Sequence, residues 1–257
     1  MLRIQLAIAQ VPDRDWFKKN LEAGGYECIE FINLSTIESY LKAEAHSHQN
    51  HLSATVLITD ADFSPEQAVL LSSKLSTIFI TSPHQIDHDI HSRMDGWRCQ
   101  CVLFGEVLTA FDPVLFLSQL LVRMPPLVRY EKDIHVVLKE LYTNAFDHGV
   151  LQLDSSCKNT AEEFLTYYQE RDRRIKTLGD GFVRINLHGM GDKEQGRLSI
   201  AVEDSGNGFD FNTQLLSAVP NADFSGRGIS LLRSLCDTVE FKGCGNVVAV
   251  SYSWRNN

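Results

Sequence analysis

No run in the chain approaches the roughly 20 consecutive apolar residues that a membrane-spanning helix requires. A basic excess is missing too. The 24 Lys and Arg stand against 33 Asp and Glu for a formal net charge of -9. No Lys/Arg run forms a stripe, which argues against nucleic acid or acidic lipid as partner. Six cysteines among 257 residues are too sparse for a disulfide scaffold, so a reducing, cytoplasmic setting is expected. The first residues, Met1 to Gln10, run straight into a strand-like segment without a signal-peptide cleavage region, which fits that expectation. What the chain has is 44% hydrophobic and 22% charged residues. That is the composition of a globular protein, long enough for one large or two ordinary domains.

The only Pro-Pro, Pro125-Pro126, suggests where to divide it. Residues 1–123 carry 9 Lys/Arg and 15 Asp/Glu, a net of -6; residues 128–257 carry 15 and 18, a net of -3. The expected organisation is therefore a first domain over 1–123, a linker over 124–127 and a second domain over 128–257.

The first half alternates short apolar runs with helix-like segments. Strands are expected over 3–9, 27–32, 55–59, 77–81 and 101–104, and helices over 15–23, 35–45, 65–75 and 112–122. Asp112 before Pro113 is a helix cap. Repeated strand-helix alternation predicts a flavodoxin-like, doubly wound parallel sheet. With Asp60 ending the third strand and Thr81 or Ser82 the fourth, the half resembles a response-regulator receiver domain. Its phosphorylation chemistry is missing. Gln10-Val11 stand where receivers carry their acidic pair, and Leu103-Phe104-Gly105-Glu106 offers no lysine. The resemblance implies a pseudo-receiver serving as an interaction module. The histidines 46, 48, 51, 84, 88 and 91 with Cys99-x-Cys101 raise a metal-binding alternative, which no zinc-finger spacing supports.

Three patterns mark the second half. In a helix expected over 131–148, Ile134, Val137, Leu138, Leu141 and Ala145 form an apolar face, and Glu140, Asn144 and His148 a second stripe. Taken alone, that stripe reads as a solvated face ending at Gly149. A hairpin of alternating Val183, Ile185, Leu187 and Leu198, Ile200, Val202 ends in Asp204-Ser205-Gly206-Asn207-Gly208. This is either an ordinary Asp/Gly turn or a place where backbone approaches a flat ligand while a carboxylate accepts an N–H. Ser225-Gly226-Arg227-Gly228 then opens an amphipathic helix whose N-terminal N–H groups suit phosphate oxygens.

In this order, Glu-x3-Asn-Ala-x2-His, Asp-x-Gly-x-Gly and Gly-x-Gly-Ile resemble the N, G1 and G2 boxes of the GHKL ATPase superfamily. Glu140-Leu141-Tyr142-Thr143-Asn144-Ala145 and the 226–235 segment are similar to its anti-sigma-factor serine kinase branch. The resemblance implies an α/β two-layer sandwich binding ATP and Mg²⁺, with an inserted helical segment at about 151–181. It assigns Glu140 as the base for an attacking serine and Asn144 as the Mg²⁺ ligand bridging the ATP phosphates. Asp204 would be the adenine acceptor, with Gly206 and Gly208 permitting close contact. Gly226 and Gly228 would bound a lid over 209–225, and Arg227 could pair with the γ-phosphate. The implied partners are an anti-sigma antagonist and a sigma factor, and dimers are common in the branch. Phe224 replaces a lid arginine found in some of these kinases, and Asn246 replaces a frequent threonine. A nucleotide-binding interaction module without catalysis is the alternative. Histidine self-phosphorylation is not expected, because His135 lies inside the N-box helix.

Overall fold

The computed structural model describes residues 3–7, 14–30, 55–59, 76–81, 96–124, 126–154, 160–208 and 227–255. The helices expected over 35–45 and 65–75, Asp60, Ser82, the six N-terminal histidines, Gly226 and the loop 209–226 lie outside them.

Among the described residues, nine strands form one mixed sheet, in the order β2-β1-β3-β4-β5-β6-β7-β9-β8. β1 (Arg3–Ala7), β2 (Glu27–Glu30), β3 (Thr55–Thr59) and β4 (Ser76–Thr81) pair in parallel. Helix α1 (Arg14–Ala23) links the first two and stops at Gly24-Gly25, where Gly25 takes the left-handed φ of 83° common at helix ends.

The fifth strand departs from the expected parallel order. β5 (Trp97–Phe104) runs antiparallel to β4 on one side and to β6 (Phe182–Gly191) on the other. Val102 and Leu103 at its end are both buried, but before them Trp97, Cys99 and Cys101 are buried while Arg98 and Gln100 are exposed. That period of two is how a half-buried antiparallel strand reads. Only the apolar run at its end is evident when a parallel strand is sought.

β5 thereby belongs to an antiparallel five-stranded sheet with β6, β7 (Gln195–Asp204), β9 (Val247–Arg255) and β8 (Thr238–Lys242). Val183, Ile185 and Leu187 of β6 face the core with Leu198, Ile200 and Val202 of β7. The same core takes in α2 (Val107–Ala110), α3 (Pro113–Leu121) and α4 (Glu131–Thr143) through Leu108, Leu117, Leu121, Ile134, Val137, Leu138 and Leu141. Asp112 caps α3 by accepting from Leu115 N–H, with Pro113 in the first turn, as expected. Two polar bonds tie α4 to the preceding segment. Tyr142 Oη donates to Leu108 O at 2.8 Å, and Ser118 Oγ lies 3.1 Å from His135 Nδ1. Helices α5 (Ala161–Ile175), opened by a Thr160/Glu163 capping box, and α6 (Arg227–Leu235) complete the described α-helices.

Candidate functional site

The helix expected over 131–148 changes character partway. α4 ends at Thr143, and Asn144–Val150 forms one wide π turn, closed by Leu151 N–H donating to Phe146 O at 2.8 Å. Turns of this kind are frequent at functional sites. The Asn144 N–H still donates back to Glu140 O and Leu141 O, so the side chains of Glu140 and Asn144 keep their one-turn spacing. His148 makes a structural contact, its Nδ1 lying 2.7 Å from Leu153 O.

The start of α6 faces Glu140 and Asn144. A methyl group on Gly228 would lie 2.5 Å from Glu140 Oε2 and 3.8 Å from Asn144 Nδ2. A side chain there would push the Glu140 carboxylate aside, and glycine leaves it facing the helix terminus. Neither the Glu140 carboxylate nor the Asn144 amide has a hydrogen-bond partner among the described residues. A half-buried acid and an unengaged amide thus sit beside the first turn of a helix, where backbone N–H groups lack intrahelical acceptors.

Asp204 ends β7 with 8% of its surface exposed. Burial pushes its carboxyl up to about 6, a rise that the Gly206 N–H opposes by donating to Oδ1 at 2.8 Å and that neighbouring Glu203 adds to. Three chain segments meet there. Gly149, from the π turn, packs so closely that a methyl on it would overlap the Asp204 carboxylate, and one on Gly206 would overlap Gly149 O. Gly208, at φ 70°, faces the carbonyl and thiol of Cys244 in the turn between β8 and β9. From the same turn, Asn246 O accepts the Asp204 N–H at 3.0 Å, and Asn246 Nδ2 donates to Asp204 O at 3.1 Å.

The structure therefore brings Glu140, Asn144 and Gly228 together, and separately gathers Asp204, Gly206 and Gly208. The π turn joins the two groups through Gly149. Arg227 opens α6, but its side chain lies outside the described residues, as does Gly226. Three contributors were not anticipated. Gly149 reads in sequence as a helix stop, and Asn246 as a mere departure from threonine. Asp147 gave no signal, yet its buried carboxylate accepts from Tyr167 Oη and Arg171 Nε, each at 2.9 Å, and so fixes α5 to the π turn. Cys99 and Cys101 are core residues. No cluster of three metal-binding side chains occurs among the described residues.

Comparison with protein families finds that residues 128–252 match the family described as the histidine kinase-like ATPase domain. With the antiparallel five-stranded sheet, this match supports a GHKL-type ATPase domain in this part of the chain, and hence an ATP-binding regulatory function. No curated protein matches the sequence. No helix among the described residues is long and apolar enough to cross a membrane.

Proposed function

We propose that the chain is a Mg²⁺-dependent serine/threonine protein kinase of the partner-switching type, acting in the cytoplasm on a small anti-sigma antagonist. A sigma factor would be its other partner, and it would work as a homodimer. The 1–123 segment would serve as a pseudo-receiver interaction module and 128–257 as the nucleotide-binding unit. The observation that carries this reading is the convergence of Glu140, Asn144 and Gly228 within the segment that matches an ATPase family.

In this reading Asp204 accepts the adenine amino hydrogen, while Gly206 and Gly208 let the backbone approach the base. The γ-phosphate lies by the first turn of α6, with Arg227 near it. Glu140 takes the proton of the substrate serine as its oxygen bonds to the γ-phosphorus and the bond to the β-phosphate oxygen breaks, releasing ADP. The Asn144 amide, without a hydrogen-bond partner among the described residues, would with phosphate oxygens make an all-oxygen donor set that suits Mg²⁺. When bound, the ion supplies charge neutralisation on the phosphates. A second reading, an ATP-binding module without catalysis, is favoured by Phe224 at the lid position.

Transfer from γ-labelled ATP with Mg²⁺ to a candidate antagonist separates the two. Glu140→Ala is expected to abolish label transfer while retaining ATP, and Asn144→Ala to weaken both. Wild-type protein that binds ATP but transfers no label, across candidate antagonists, would leave the module as the function.

A further inference from the structure

We propose that Asn246 is a positioning residue that aims the Asp204 carboxylate and so sets the selectivity of the site for 6-aminopurines. The inference rests on the adenine reading of Asp204.

Asp204 lies at the very end of its ladder. β7 and β9 pair up to Glu203 and Val247, and one step further on Asn246 takes over. It accepts the Asp204 N–H through its own carbonyl and donates to Asp204 O through its side chain, at 3.0 and 3.1 Å. One residue thereby holds both main-chain polar groups of Asp204. The side-chain amide is itself oriented. Cys244 Sγ donates to Asn246 Oδ1 at 3.4 Å, leaving Nδ2 toward Asp204. Gly243 leaves room for this, since a methyl there would lie 2.7 Å from Asn246 Oδ1.

The consequence falls on the carboxylate. Oδ1 is engaged by Gly206 N–H, and no hydrogen bond among the described residues engages Oδ2. One acceptor with a fixed direction remains. A purine with an amino group at position 6 can donate to it, whereas a 6-oxo purine would oppose oxygen to oxygen. A threonine hydroxyl is shorter and cannot offer acceptor and donor in the same arrangement as the Asn246 amide. The selectivity therefore depends on the residue this chain has.

Equilibrium binding of ATP, GTP and purine riboside triphosphate, which lacks the exocyclic amine, to the full chain tests this. The proteins compared are wild type, Asn246→Ala, Asn246→Asp, Asp204→Ala and the double variant Asp204→Ala/Asn246→Ala. Asn246→Asp keeps size and replaces the donor, so it carries the test if the alanine variant does not fold. The expected result is a preference of wild type for ATP over the amine-free analogue, cut about tenfold in both Asn246 variants, with affinity for the analogue unchanged. In the Asp204→Ala background, Asn246→Ala should add nothing. Equal weakening of ATP and the analogue, or additive losses in the double variant, would reduce Asn246 to a structural residue and overturn the inference. Absence of any ATP preference in wild type, or its persistence in Asp204→Ala, would instead refute the adenine reading and take the inference with it.

Discussion

Burial holds the Asp204 carboxyl at about 6, above the roughly 4 of a carboxyl in an unfolded chain. Between these values the folded protein binds more protons than the unfolded one, so stability falls as pH rises through the window and levels off above it. Asp204→Asn removes the buried charge and keeps an acceptor for Gly206 N–H. It is expected to raise the melting temperature at pH 7.5, with the gain vanishing near pH 4, and to weaken ATP binding at least tenfold. Melting curves across that pH range, with calorimetric titration of ATP, check both halves. An unchanged melting temperature at pH 7.5 would show that the charge is not a burden on the fold. The end of the strand at Asp204 was legible in sequence, and the residue stood out as a candidate only beside the other two motifs. Its surroundings were not, because Gly149 and Asn246 reach it from distant points in the chain.

Secondary-structure elements show a similar divide between local pattern and distant contact. The apolar stripe of α4 follows its 3.6-residue period and is readable in sequence. The π turn after Thr143 is not, because it is maintained by tertiary contacts: Gly149 against Asp204, and Asp147 against α5. The helical character of α5 was likewise legible, and Tyr167 and Arg171 stand one turn apart on it. Their common target was beyond reach of any spacing rule. Arg171 also lies over the Phe146 ring at 5.4 Å, and Arg174 Nη1 donates to Leu151 O and Gln152 O, both at 2.6 Å. Tyr167→Phe removes one donor from a buried carboxylate while preserving the ring. It is expected to destabilise the protein by about 1.5–3 kcal/mol, measured by urea denaturation. A loss below about 0.5 kcal/mol, within the scatter of surface substitutions, would mean that Arg171 alone satisfies Asp147.

Across the whole molecule, the composition change and Pro125-Pro126 suggest a boundary, yet the packing does not break there. β5 pairs with β6, and α3 shares a core with α4. Pairing between strands so far apart in sequence leaves no trace in local propensity, although the alternation from Trp97 to Cys101 was a signal of an antiparallel strand. A chain beginning at residue 128 lacks both β5 and α3. It exposes the edge of β6 and the face of α4 that α3 covers, and is expected to aggregate or melt without cooperativity. A chain beginning at residue 96 keeps both and should melt cooperatively and bind ATP. Circular dichroism melts and light scattering of the two fragments decide the matter, and a soluble, cooperative 128–257 fragment would show that β5 is dispensable.

The strand at this seam carries its own chemical clock. Cys99 and Cys101 point from β5 into the core at 2% and 0% exposure, and burial pushes both thiols upward, away from the reactive thiolate. Neither sulfur can meet an alkylating reagent until the helices packed over this face of β5 lift away or the strand itself detaches. The rate at which these two thiols are consumed therefore counts openings of the seam. An effector that loosens or tightens either side of β5 would change the same rate.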